Sequence, residues 1–126
     1  MRIGELADAT GVSRRLLRYY EEQGLLRPVR LANGYREYAA SDVTAVRYVR
    51  ALLGAGLGTP VIARFLDCVH DEDDRVVVSA CPGVVGDLRR ELDRVGRELD
   101  RLESSREALD AMLTAALRPG SERRTG

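Results

Sequence analysis

Residues 82–117 carry an apolar repeat that no small domain can bury by itself. A repeat with alternating steps of three and four residues is typical of a coiled coil. About 36 residues of α-helix form a rod roughly 54 Å long, so we expect the repeat to pack against a second copy of the chain, as a homodimer. The repeat has Arg106 at one position and is otherwise apolar: Val85, Leu88, Leu92, Val95, Leu99, Leu102, Leu109, Leu113 and Ala116.

The charges of the chain are divided between its two halves. The 126 residues include 20 arginines, no lysine and 20 acidic residues, so the formal net charge is zero. Residues 1–66 hold 10 arginines and 6 acidic residues, a balance of 10 − 6 = +4, whereas residues 67–126 hold 10 and 14, a balance of 10 − 14 = −4. A cationic half of this kind indicates contact with nucleic acid, and the anionic half indicates a solvated stalk.

Several classes of protein are disfavoured by composition. Apolar stretches fall far short of the roughly 20 residues that a membrane span needs, so we expect no membrane association. The N-terminus, MRIGELADAT, has acidic residues where a signal peptide has an apolar run, which favours a cytoplasmic protein. One histidine, two cysteines and no evident nucleophile–base or carboxylate pair argue against an enzyme.

The pattern of the first 66 residues is mainly helical. It predicts a short helix over residues 3–9, a turn at Thr10-Gly11, and a second helix over 13–23 that has Ser13 as its N-cap and Leu16, Leu17 and Tyr20 as its apolar face. Residues 28–38 predict two short strands joined at Asn33-Gly34, a strong hairpin signal. A third helix begins at Ser41-Asp42, and a fourth runs from Thr59-Pro60 to about Leu66. Residues 67–80 are expected to be a polar connector.

Several of these segments together resemble the MerR family of transcription regulators. The similarity lies in Leu17-Arg18-Tyr19-Tyr20-Glu21-Glu22-Gln23-Gly24-Leu25-Leu26-Arg27-Pro28 and in Asn33-Gly34-Tyr35-Arg36-Glu37-Tyr38, and it covers residues 3–68 closely. The resemblance implies a mainly α fold with a winged helix-turn-helix, two further helices that act as a second wing, and an antiparallel coiled coil between subunits. The expected divisions are a DNA-binding domain (1–68), a connector with a possible sensor role (69–81), a dimerisation helix (82–117) and a flexible tail (118–126).

The resemblance also implies a function. Members of the family bind a near-palindromic promoter spacer between the −35 and −10 elements as homodimers. They repress transcription, or activate it by distorting the double-stranded DNA for RNA polymerase. The alternative from another class of protein is a coiled-coil interaction module whose helix-turn-helix-like domain binds protein instead of DNA.

Eight residues are candidates for DNA contact. Arg14 or Arg18 fits a guanine edge, and Arg15 suits a base or a phosphate. Tyr19 suits a phosphate or a thymine methyl, and the second helix presents its N-terminus at Ser13 to a phosphate. The resemblance assigns the hairpin residues Arg30, Tyr35 and Arg36 to the flanking phosphates. For any one arginine the alternative is an ordinary solvated surface charge.

Cys68, His70 and Cys81 are the candidates for a sensor, and three interpretations remain open. Two thiols and one imidazole are zinc-type ligands, although the chain has no Cys or His after residue 81, where metal-sensing relatives carry a cysteine loop. Cys68 and Cys81 flank one connector and can form a redox-active pair. They can also be small buried hydrophobes. The acidic run 71–74 predicts a solvated loop. DNA binding requires no cofactor, and the sequence identifies none.

Overall fold

A computed structural model of the chain describes residues 1–120, and it is mainly helical, as the sequence predicted. The chain forms one compact unit over Met1–Asp87 and a second from Leu88 onward. The division of the chain into functional segments that end at residues 68, 81 and 117 remains a prediction. Most of the predicted tail, residues 121–126, lies outside the described residues. The elements in chain order are α1 (Ile3–Thr10), α2 (Arg14–Glu22), β1 (Val29–Arg30), β2 (Arg36–Glu37), α3 (Ala40–Gly54), α4 (Thr59–Phe65), a 3-10 turn (Leu66–Cys68), β3 (Val69–Glu72), β4 (Arg75–Val78) and α5 (Val84–Ala116).

The turn between α1 and α2 has the features that the sequence predicted. Gly11 has a φ of 71°, a left-handed conformation that glycine adopts without steric cost. The Ser13 hydroxyl accepts a 3.1 Å hydrogen bond from the Leu16 amide and so satisfies a free N–H at the start of α2. The N-cap prediction is therefore confirmed.

The core of the first unit is built where the helices meet. Leu17 and Tyr20 of α2 are buried, but Leu16 is 37% exposed, so the predicted apolar face of α2 is one residue too wide. Leu16 lies about 100° around the helix from Leu17, and the core reaches only one side of that pair. Other buried side chains are Leu6, Val12, Leu25, Leu26, Tyr38, Val46, Val49, Leu52, Leu57, Ile62, Phe65, Val69 and Val84.

The first hairpin pairs β1 with β2 in antiparallel register, Val29 opposite Glu37 and Arg30 opposite Arg36. Its loop has three residues, because the Leu31 amide donates to the Tyr35 carbonyl (2.8 Å) and the Gly34 amide to the Leu31 carbonyl (2.9 Å). Gly34 has a φ of 85°, but Asn33 does not have a positive φ. The predicted hairpin is therefore present, with Gly34 as its left-handed residue. The Asn33 side-chain oxygen accepts from the Tyr35 amide (3.1 Å).

A second antiparallel hairpin occupies the segment that the sequence assigned to a polar connector and a solvated acidic loop. Strands β3 and β4 pair from Val69 opposite Val78 to Glu72 opposite Arg75. Asp73 and Asp74 form the turn, with φ values of 49° and 62°. Two left-handed central residues give the two-residue turn that matches strand twist, and Asp adopts this conformation more readily than most residues. The acidic run is therefore exposed but ordered.

The second unit contains only the remainder of α5 among its regular elements in the described residues. Its apolar repeat is exposed along the helix: Leu92 is 70% and Leu99 61% exposed, and Leu102, Leu109 and Leu113 are also exposed. Within residues 1–120, no helix is both long enough and apolar enough to cross a membrane.

Candidate nucleic-acid interface

An open groove of about 580 Å³ lies between the start of α1, α2 and the first hairpin. We call it the arginine groove. Four of its side chains are arginines, and Glu5 and Asp8 also line it, so cations predominate. Four of the eight predicted DNA-contact residues line the groove: Arg14, Arg18, Tyr35 and Arg36. Arg2 and Tyr38, which were not among the eight, also line it.

The exposed side of α2 carries two adjacent rows of side chains. Arg14 and Arg18 are four residues apart and share one face, and Arg15 and Tyr19 form the neighbouring row. All four are exposed. Only Arg14 and Arg18 line the arginine groove, and the Arg14 guanidinium lies against Gly4, where an added Cβ would be 2.7 Å from Nη2. The α2 surface therefore offers guanidinium groups over about one and a half helical turns.

Ser13 and Arg30 are exposed and lie outside the lining of the arginine groove. The Ser13 oxygen already accepts the Leu16 amide, but its hydroxyl hydrogen can still be donated to a phosphate. Arg30 lies on β1 directly opposite Arg36, which places two cations side by side on the hairpin.

Arg36 is held by an ion pair with α2. Its Nε donates to Oε1 of Glu21 at 2.8 Å, and the Glu21 side chain is only 19% exposed. A charge-assisted hydrogen bond of this length fixes the orientation of both groups. The pair joins the hairpin to α2, and it also neutralises part of the charge on Arg36.

The hairpin tip is in contact with the start of the chain. The Arg2 guanidinium carbon lies 3.9 Å from the centre of the Tyr35 ring, a cation–π distance. Sequence reasoning overlooked Arg2 because it precedes the first helix, and no local pattern connects it with residue 35. The only available signal was its positive charge beside the helix-turn-helix.

Tyr38 packs beneath the same surface and is 2% exposed. Its hydroxyl is buried and has no hydrogen-bond partner within residues 1–120. Burial raises the pKa of the Tyr38 phenol, and the nearby Glu21 carboxylate adds to the effect. The residue is therefore a neutral core side chain.

The three predicted sensor residues lie around the second hairpin. Cys68 and Cys81 are joined by a disulfide, with their Cα atoms 6.4 Å apart. The His70 Nδ1 lies 3.1 Å from the Ser79 hydroxyl and its Nε2 lies 3.5 Å from Glu72. No group of three metal-binding side chains occurs within the described part of the chain. The structure thus brings the two sulfurs together without His70.

Two polar links attach the second hairpin and the start of α5 to the helices of the first unit. Arg47 and Tyr48 of α3 both donate to Oδ2 of Asp71 on β3, and the Arg47 hydrogen bond holds the pKa of Asp71 below its usual value. Arg64 of α4 donates to Oδ2 of Asp87 from Nε (3.2 Å) and Nη2 (3.1 Å), and the Asp87 side chain is only 8% exposed. Together with the disulfide, these contacts fix residues 68–87 on α3 and α4.

The arrangement of α1, α2 and the hairpin matches a known family of regulators. The family model described as "MerR HTH family regulatory protein" matches residues 1–68. The chain belongs to the MerR family. The resemblance seen in the sequence is thereby confirmed, and the protein is a transcriptional regulator with a winged helix-turn-helix.

Similar MerR-family proteins extend the match. The HTH-type transcriptional regulator HmrR of Rhizobium leguminosarum bv. viciae is 35% identical over 109 residues, which cover 86% of this chain and 83% of that protein. The mercuric resistance operon regulatory protein of Bacillus cereus is 38% identical over 74 residues, which cover 58% of this chain and 55% of that protein. The solved structure of HiNmlR, a MerR family regulator lacking the sensor domain, bound to promoter DNA, has a TM-score of 0.52 at 18% identity and covers 97% of each chain. At that identity the likeness concerns the fold.

Proposed function

We propose that this MerR-family chain binds a near-palindromic promoter spacer as a homodimer and controls transcription by distorting that DNA. The observation that carries the proposal is the arginine groove, where guanidinium groups of α2 converge with those of the first hairpin. Surfaces that combine basic and aromatic side chains on a helix and an adjacent wing are suited to DNA.

Each part of this surface has a chemical role in the proposal. Arg14 and Arg18 enter the major groove and donate in pairs to guanine O6 and N7. Arg15, Tyr19 and Ser13 contact bases or phosphates beside them, and the hairpin residues Arg30, Tyr35 and Arg36 bind the flanking phosphates. Because every cation is an arginine, each one can form two parallel hydrogen bonds with a phosphate.

The homodimer is supported by the apolar repeat on α5. Leu92, Leu99 and Leu109 are each more than half exposed, and an apolar row of this length, interrupted only at Arg106, calls for a partner helix. Two copies of α2 in one dimer would read two related half-sites, which accounts for a near-palindromic site.

Distortion and an action on RNA polymerase rest on membership of the family and on the DNA-bound structure of a regulator with the same fold. In this mechanism the protein realigns the −35 and −10 elements, and the energy for bending the DNA comes from additional protein–DNA contacts.

Footprinting on the DNA upstream of the protein's own gene tests the proposal. We expect protection of one promoter spacer at low salt, with affinity that falls steeply as salt rises because bound cations are released from the DNA. If the purified dimer protects no DNA even at low salt, the domain binds protein instead and the proposal fails.

Thiol oxidation is the regulatory signal that the geometry favours. One molecule of a peroxide would oxidise the two thiols at residues 68 and 81 to the disulfide. The O–O bond of the peroxide breaks, and each of its oxygens takes up one thiol proton and leaves as water or an alcohol. The disulfide closes the second hairpin next to the start of α5, so its formation affects the segment between the DNA-binding helices and the coiled-coil helix. The names of some relatives refer to mercury or to heavy metals, but within residues 1–120 no three-ligand group supports a metal here.

A thiol titration combined with metal analysis tests the signal. Protein purified without oxygen is expected to contain two reactive thiols and no bound metal, and mild peroxide is expected to remove both thiols and change the affinity for the promoter. A stoichiometric metal in the anaerobic sample, or an affinity that is the same in both states, would contradict thiol sensing.

A further inference from the structure

Arg2 is fixed at the edge of the arginine groove by its backbone and by its side chain. Its amide donates to Oε1 of Glu5 at 3.1 Å, which caps α1. The preceding residue, Met1, accepts a 2.7 Å hydrogen bond from the Tyr38 amide, so the chain start is paired with the segment after β2. The Arg2 guanidinium lies on the Tyr35 ring at 3.9 Å. The backbone bonds fix the position of the residue, and the ring contact orients its guanidinium.

The charge of Arg2 is available for a ligand. Within residues 1–120, no carboxylate lies within ion-pair distance of its guanidinium, although Arg36 in the same groove is paired with Glu21 at 2.8 Å. The side chain is exposed, and a ring on one face of a guanidinium leaves the N–H groups at its edge free to donate.

We propose that Arg2 is a further DNA-contact residue, which binds a backbone phosphate beside the hairpin and is positioned for that contact by the Tyr35 ring. The inference rests on the proposed DNA-binding function and extends the contact surface from α2 and the hairpin to the chain start. A guanidinium that is already oriented loses less conformational freedom when it binds a phosphate.

The test measures DNA affinity at several salt concentrations for the wild type, Arg2→Ala and Arg2→Lys. The probes are a duplex selected by the wild-type protein from random sequence and a duplex with the same composition in scrambled order. Arg75→Ala is the matched control, because Arg75 is an exposed arginine on β4 outside the groove.

Loss of one phosphate contact should lower the slope of log K against log salt by about one and weaken binding to both probes alike. We expect about a fivefold loss for Arg2→Ala at low salt, a smaller loss for Arg2→Lys, and no change for Arg75→Ala. An Arg2→Ala protein with wild-type affinity and slope would overturn the inference while leaving DNA binding intact. A wild type that selects no duplex from random sequence, and binds none at low salt, would overturn both.

The role of Tyr35 requires a double-mutant cycle. If the ring positions Arg2, the Arg2→Ala loss should be smaller in a Tyr35→Leu background, since contacting residues show non-additive effects. Equal losses in both backgrounds would contradict positioning by Tyr35.

Discussion

Arg36 on β2 and Glu21 on α2 form an ion pair of 2.8 Å that joins the hairpin to the helix carrying the candidate base-contact residues. The two elements are separate in sequence, and in the proposed DNA complex their relative position would determine whether base and phosphate contacts form simultaneously. We therefore expect the pair to link the geometry of the wing to DNA discrimination.

Glu21→Gln should weaken discrimination between selected and scrambled DNA. The amide keeps the size of the side chain and its oxygen can still accept from Nε, but the carboxylate charge is lost and the bond is weaker, so Arg36 is held less firmly and binds phosphates of any sequence more readily. We expect the ratio of the two affinities, measured by fluorescence anisotropy, to fall about threefold, in line with a pair worth less than 1 kcal/mol.

Glu22→Gln is the charge-matched control for this experiment. Glu22 is exposed and adjacent to Glu21 on α2, so its loss raises affinity for both duplexes without changing their ratio. If both variants change the ratio equally, the ion pair has no positioning role.

Tyr38→Phe should stabilise the first unit. The phenol oxygen is buried without a partner within residues 1–120, and removing an unsatisfied buried hydroxyl gains about 1 kcal/mol while the ring keeps its packing. The pKa of the Tyr38 phenol is raised in the folded state, so the fold favours the protonated phenol. This contribution to stability is complete below the unfolded pKa of about 10 and is lost as the pH rises through the folded-state pKa.

Urea unfolding at neutral and alkaline pH checks both parts. The difference in unfolding free energy between Tyr38→Phe and the wild type should be positive at neutral pH and should increase above about pH 10. A variant less stable than the wild type at neutral pH would show that the hydroxyl makes a necessary bond.

Acid should release the second hairpin from α3. The Arg47 hydrogen bond, followed by that of Tyr48, keeps the pKa of Asp71 low. Because the pKa of Asp71 is lower in the folded state than its unfolded value of about 3.9, the ion pair contributes its full stability above that value. This stability is lost as the pH falls through the folded-state pKa. The protection factors of the β3 and β4 amides, which compare the observed exchange rate with the intrinsic rate at the same pH, should therefore fall when the pH falls below about 4.

Asp71→Asn should show fast exchange of these amides already at neutral pH. Asp74→Asn is the control, since Asn tolerates the left-handed conformation of this turn residue and the change in charge is the same. Protection of the hairpin in Asp71→Asn equal to that in the wild type would show that the Arg47 contact does not hold it.

Leu99→Asp should prevent formation of the dimer. Leu99 is 61% exposed on the apolar repeat of α5, and a carboxylate there would be buried without a partner in a coiled coil. Sedimentation should give a monomer at micromolar concentration for Leu99→Asp. The control Ser104→Asp, on the opposite side of the helix, should remain dimeric, and a Leu99→Asp dimer would refute the proposed interface.

The parts of the fold that depend on neighbouring residues were predictable from the sequence. Ser13 as N-cap, Tyr20 in the core and a turn at Gly34 each follow from a few adjacent side chains. The second hairpin was not predicted, because Asp73 and Asp74 have the charge of a solvated loop, and only pairing of the flanking strands shows that they form a tight turn. The Arg2–Tyr35 contact depends on tertiary packing, and no periodic pattern encodes it.

We propose that α2 reads promoter sequence, and the most direct measurement of this compares the wild type with Arg18→Ala on selected and scrambled duplexes. Arg18 lies in the arginine groove on the exposed face of α2. We expect the wild type to prefer the selected duplex strongly, and Arg18→Ala to lose most of that preference and its footprint while sedimenting as the same dimer. An Arg18→Ala protein with an unchanged footprint and an unchanged affinity ratio would contradict the account.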